Sequence, residues 1–166
     1  DKGDARAAIT SYKSAIEIEP KHAATHYQMG VALQDLGDLK AAVDCYKQAL
    51  RIKPDYAAAY NNMGNAQKDT GDTAAAIDSY KQAIKIKPDY AQAYNNMGNA
   101  LYEKGDTAAA IDSLKKALNI NPNYAEIYSN MGHFLAEIGQ PSAAIDSFKQ
   151  ALEIKPDYAE AYTNRA

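Results

Sequence analysis

Apolar and small residues recur along this chain at helical spacing, in two stripes that restart every 34 residues. Within 91–124 the first stripe runs Ala93, Tyr94, Met97, Gly98, Ala100 and Leu101, and predicts one helix. The second runs Ala109, Ala110, Ser113, Leu114, Ala117, Leu118 and Ile120, and predicts another. Gly105 stands between them, free to adopt the left-handed conformation that stops a helix. Asp106 follows as the expected N-cap of the second helix, and Pro122 ends it. Asp89 with Gln92, and Asn123 with Glu126, have capping-box spacing, which predicts that the first helices start just after Pro88 and Pro122. Where Gln140 replaces the capping aspartate, Pro141 comes next, a residue suited to the first helical position.

Residues 57–90 and 91–124 agree at 23 of 34 positions without a gap. More divergent copies lie at 23–56 and 125–158, half a copy at 1–22, and a partial helix at 159–166. A unit of this length is a helical hairpin that buries its apolar faces only against its neighbours. The expected fold is therefore an all-α solenoid of antiparallel helix pairs, a single array over 1–166. The chain opens and closes in mid-repeat, so it reads as a piece of a longer protein. The opening half-copy is expected to leave Ile9, Tyr12 and Ile16 without a neighbour, and head-to-tail self-association through the incomplete ends follows as an expectation.

Small residues recur where paired helices must approach: Gly30, Gly64, Gly98 and Gly132 in the first helix, Ala42, Ala76, Ala110 and Ala144 in the second. Tyr60, Tyr94, Tyr128 and Tyr162 accompany them, and Pro54, Pro88, Pro122 and Pro156 punctuate the ends. In these residues the whole chain resembles the tetratricopeptide repeat (TPR) family. The resemblance implies a right-handed superhelix whose first helices line a concave groove, and a non-catalytic role in protein binding.

Positions two, six, nine and thirteen of each unit share one helical face, opposite the apolar stripe. They read Ala24, Gln28, Val31, Asp35; Ala58, Asn62, Asn65, Asp69; Gln92, Asn96, Asn99, Glu103; and Glu126, Asn130, His133, Glu137, with Glu160 and Asn164 continuing the series. Asparagine in a helix costs roughly 0.5–0.7 kcal/mol relative to alanine, so its repetition asks for a reason. A side-chain amide offers a donor and an acceptor, which match the N–H and C=O of an extended peptide. The candidate partner-binding residues are thus Asn62, Asn65, Asn96, Asn99, Asn130, His133 and Asn164. Asn62, Asn96, Asn130 and Asn164 also resemble the asparagine ladder in the repeat region of O-linked N-acetylglucosamine transferases. That resemblance implies backbone recognition of a target polypeptide, and an alternative role as the targeting arm of such an enzyme; Gln28 breaks the ladder in the earliest full unit. Ala58, Asn61, Asn62, Gln92, Asn95, Asn96 and Glu126 include no cation, so a clamp for a C-terminal carboxylate is not expected.

Composition narrows the partners. The net charge is −3 with both signs interspersed, which gives no electrostatic footprint for nucleic acid, and no apolar run is long enough for membrane insertion. The expected partner is a protein or an extended peptide segment, with no cofactor, and the expected location is cytoplasmic. His22 and His26 fall where later copies carry tyrosine, so they are expected in aromatic packing slots rather than on a metal. Cys45 replaces a serine on a second helix and is expected to be an inert packed thiol. Met29, Met63, Met97 and Met131 form a core column, and Asp44, Asp78, Asp112 and Asp146 each precede a lysine by three residues, as surface support. No catalytic motif occurs, and no enzyme activity is expected.

Overall fold

A computed structural model describes residues 2–156 and resolves into two compact units, Asp1–Pro88 and Asp89–Ala166. The first holds α1 (Lys2–Ile18), α2 (Ala23–Asp35), α3 (Leu39–Ile52), α4 (Ala57–Asp69) and α5 (Thr73–Ile86). The second holds α6 (Ala91–Glu103), α7 (Thr107–Ile120), α8 (Ala125–Glu137) and α9 (Pro141–Ile154). There is no strand among the described residues, so the fold is the all-α array of helix pairs that the periodicity predicts. The expected partial helix at 159–166, with Glu160, Tyr162 and Asn164, lies outside the described residues.

Each hairpin turns in the same way. Gly105 has φ +89°, and Asp106 N donates to Leu101 O at 2.9 Å, closing the bond that ends a helix on a left-handed residue. Gly37, Gly71 and Gly139 share that conformation. Asp38, Asp72 and Asp106 then cap the second helices, accepting from Ala41, Ala75 and Ala109 N at 3.1–3.2 Å. Gln140 makes no such bond, and Pro141 begins α9 as expected.

The capping boxes are not formed. The N-caps of α4, α6 and α8 are Tyr56, Tyr90 and Tyr124, each without a side-chain capping bond. Tyr56 shows what replaces the cap: its ring lies 4.9 Å from that of Tyr27, with Lys53 Nζ 5.0 Å from its centroid. Ring burial at the joint between repeats takes precedence over satisfying one amide.

Close packing explains the glycines. A Cβ on Gly64 would stand 2.6 Å from Tyr80 Cε1, and one on Gly98 would stand 2.9 Å from Leu114 Cδ2. In the first unit the core gathers Ala42, Tyr46, Leu50, Ala59, Met63 and Ala66. In the second it gathers Ala110, Ile111, Leu114, Ala117, Ile127, Met131 and Phe134. Ile111 is thus a core residue that the predicted stripe omits, whereas Ile120 is 37% exposed. Ile120 closes the last turn of α7. Ile9 is buried, and Tyr12 and Ile16 are half-buried, because α1 packs on α2, whereas Ile18 at the end of α1 is 85% exposed. The expectation that Ile9, Tyr12 and Ile16 stand without a neighbour is corrected.

Candidate functional site

In the first unit the polar face of α4 is held by hydrogen bonds to its neighbours. Asn62 Nδ2 donates to the Tyr27 hydroxyl on α2 at 3.0 Å, and Asn61 Nδ2 donates to Asn62 Oδ1 at 3.3 Å. Asn65 Oδ1 accepts from the Tyr80 hydroxyl at 2.8 Å. In the copy before it Val31 occupies the place of Asn65, and the Tyr46 hydroxyl donates instead to Gln34 Oε1, also at 2.8 Å. Burial raises the Tyr27 and Tyr46 hydroxyls above the usual tyrosine range, and the bond from Asn62 works against that rise.

The second unit ties its first helices with amides and a carboxylate. Asn95 is 1% exposed; its Nδ2 donates to Glu126 Oε1 at 3.1 Å, and its Oδ1 accepts from Asn130 Nδ2 at 3.1 Å. His133 is exposed and meets the Phe148 ring edge-on at 5.2 Å. Asn96 and Asn99 are half-buried on α6. Asn99 faces no tyrosine hydroxyl of the Tyr80 kind, because Leu114 stands at that place in the repeat.

One rule holds within each unit. Position six of a repeat bonds position five of the repeat before it: Asn62 to Tyr27, and Asn130 to Asn95, each 35 residues back. Position five belongs to the buried side, with Asn61 and Asn95 each 1% exposed and Ser129 8%. Reading Asn61 and Asn95 as groove residues is therefore corrected. Helical spacing carries the signal: Asn95 lies four residues after Ala91 and three before the close-packed Gly98.

The other candidate chemistry resolves into structure. His22 is exposed and pairs with Thr25 Oγ1 at 2.7 Å, which corrects its assignment to a packing slot. His26 is half-buried, and its Nε2 is 2.9 Å from Pro20 O. Among the described residues no group of three or more His, Cys, Asp or Glu could hold a metal ion, and no helix is long and apolar enough to cross a membrane. Cys45 is buried, as expected of a packed thiol, and that burial, with Asp44 and Asp38 nearby, raises its thiol. The pairs Asp78–Lys81, Asp112–Lys115 and Asp146–Lys149 lie at 3.8–4.0 Å on the exposed surface.

Known structures share the fold. MamA, at 29% identity, aligns over 96% of this chain and 93% of its own, with a TM-score of 0.87. A MamA fragment from Desulfovibrio magneticus RS-1, at 22% identity, aligns over 93% of this chain and 88% of its own, with a TM-score of 0.85. YrrB, described as a TPR protein with an unusual peptide-binding site, aligns at 20% identity over 98% of this chain and 84% of its own, with a TM-score of 0.79. No curated protein sequence matches the chain. TPR repeat sequences match at 1–37, 33–71, 64–105 and 98–139, and the tetratricopeptide repeat proper at 125–158. The chain belongs to the tetratricopeptide repeat family.

Proposed function

We propose that this chain is a non-catalytic interaction module whose first helices bind an extended polypeptide segment bearing lysine or arginine. The observation that carries this reading lies at the helix ends. α2, α4, α6 and α8 finish on Asp35, Asp69, Glu103 and Glu137, all exposed. An acid at a helix C-terminus opposes the macrodipole, at a cost of about 0.3–1 kcal/mol each. Each unit carries two such placements, Asp35 and Asp69 in the first and Glu103 and Glu137 in the second, and these carboxylates offer anionic contacts to a basic partner, Asp69 with Lys68 Nζ 3.8 Å away.

The asparagines divide their work in this proposal. Asn62 is committed to Tyr27 and Asn61, and so positions its neighbours. Asn65 uses its oxygen for Tyr80 and keeps its N–H donors; Asn130 uses one N–H and keeps its oxygen. With Asn96, Asn99 and His133, and with Asn164 beyond the described residues, these groups would read the backbone of the segment. Two likenesses support the peptide class: the description of YrrB, and the resemblance of the asparagine series to a known polypeptide-binding ladder.

The test uses labelled, unstructured peptides of matched length, rich in Lys/Arg or in Asp/Glu, with binding followed by fluorescence anisotropy at low and high salt. The basic set should bind and weaken with salt. Asp69→Lys combined with Glu103→Lys should abolish that binding while melting at the same or a higher temperature, since a cation suits a helix C-terminus. Equal binding of both peptide sets, or undiminished binding by the variant, would overturn the proposal.

A further inference from the structure

The second unit holds its two first helices side by side. At mid-helix Asn130 Nδ2 of α8 donates to Asn95 Oδ1 of α6 at 3.1 Å. Towards their ends the Tyr102 ring of α6 stacks on Phe134 of α8, with centroids 4.1 Å apart and planes 15° from parallel. Helices in such contact have axes about 8–10 Å apart. Glu103 and Glu137 are the last residues of α6 and α8, both exposed and at the same place in consecutive repeats. They are therefore set about one helix spacing apart.

The floor between these acids is aromatic. Tyr102 is half-buried, and Phe134, 4% exposed, backs one face of its ring. In the first unit the matching places hold Gln34 and Ala66, which supply no ring pair. There α4 carries Lys68 at the place of Tyr102, and its Nζ lies 3.8 Å from Asp69, a cation facing any basic segment.

The helix spacing selects a backbone for the ligand. In a polyproline II helix residues three apart lie on one face, separated by about 9 Å. In a β-strand the same-face separations are about 6.7 Å for two residues and about 13 Å for four. The first value matches the distance between neighbouring helices, and the strand values straddle it. Aromatic side chains also receive the proline rings of polyproline II segments.

We infer that α6 and α8 bind a segment in the polyproline II conformation, with lysine or arginine at its first and fourth positions and proline between them. The two cations meet Glu103 and Glu137, and the proline ring lies on the exposed part of Tyr102, which Phe134 holds in place. This rests on the basic-segment reading above and adds the conformation, the spacing and the place.

The probes are labelled peptides of equal length and charge, each with two lysines and a proline between them, the lysines being two, three or four residues apart. Binding to the intact chain is followed by fluorescence anisotropy. The three-residue spacing should bind at least about tenfold tighter than either of the others. Replacing its proline with alanine should weaken it. Glu137→Gln should erase the spacing preference and keep the proline preference. Tyr102→Leu retains an apolar floor, and should do the reverse. Each variant keeps the preference that the other loses, which shows that it is folded. Equal binding across the spacing series, or a proline preference that survives Tyr102→Leu, would overturn this inference alone. Failure of every basic peptide to bind would overturn it together with the reading beneath it.

Discussion

The two compact units solve the same problem with different chemistry. In Asp1–Pro88 the first helices are tied by a phenol hydroxyl, Tyr27 to Asn62, and the second helices send Tyr46 and Tyr80 across to side-chain oxygens. In Asp89–Ala166 the tie is Asn130 to Asn95 to Glu126, while Leu114 and Phe148 fill the hairpins without a hydroxyl. A repeat thus conserves the place where neighbours must bond and leaves the bonding group open. What differs is the exposure to titration. Burial raises Tyr27, Tyr46 and Tyr56 in the first unit and Tyr124 in the second.

The largest effect should therefore appear at alkaline pH. A hydroxyl whose folded pKa is raised contributes stability that is present below the unfolded value of about 10 and disappears as pH climbs through the folded value. Above that pH the amides of α2–α4 should lose hydrogen-exchange protection before those of α6–α8, and Tyr27→Phe with Tyr56→Phe should move the first transition to higher pH. Simultaneous loss in both units would break the comparison. Next comes Asn95→Ala, which strips partners from both Asn130 and Glu126 and should cost about 1–3 kcal/mol in denaturant unfolding. Its counterpart Tyr27→Phe removes one bond without opening a cavity, and should cost about 0.5–1.5 kcal/mol by the same measurement. A cost equal to that of Asn95→Ala would mean that the two ties are energetically alike. The smallest effect tests α9, a second helix without a side-chain cap. Gln140→Asp gives α9 the cap that α7 has in Asp106, and should add up to about 1 kcal/mol, measured as a rise in melting temperature.

The helix stops, the second-helix caps and the small residues at crossings were legible because each is a local requirement repeated at a fixed offset. Gly105 must accept a positive φ, and Gly98 must admit Leu114 whatever lies further along the chain. The first-helix starts were misread because the deciding interaction is not local. Asp89 and Gln92 have the spacing of a cap, but the neighbouring tyrosine becomes the N-cap, as Tyr56 does when it packs on the ring of Tyr27, 29 residues back. The same holds for the candidate face. The asparagine column was visible, yet its bonds run 35 residues back, beyond any helical periodicity.

By itself, then, the sequence determined the hairpin, its period, its family and the polar face with its four terminal acids, since these follow from helical spacing and side-chain size. Only the tertiary structure decided which amides are occupied and that Asn61 and Asn95 are buried. Those facts depend on which side chain of one repeat reaches which atom of the next. Backbone periodicity places the residues in register, but the length and direction of each side chain settle whether they meet.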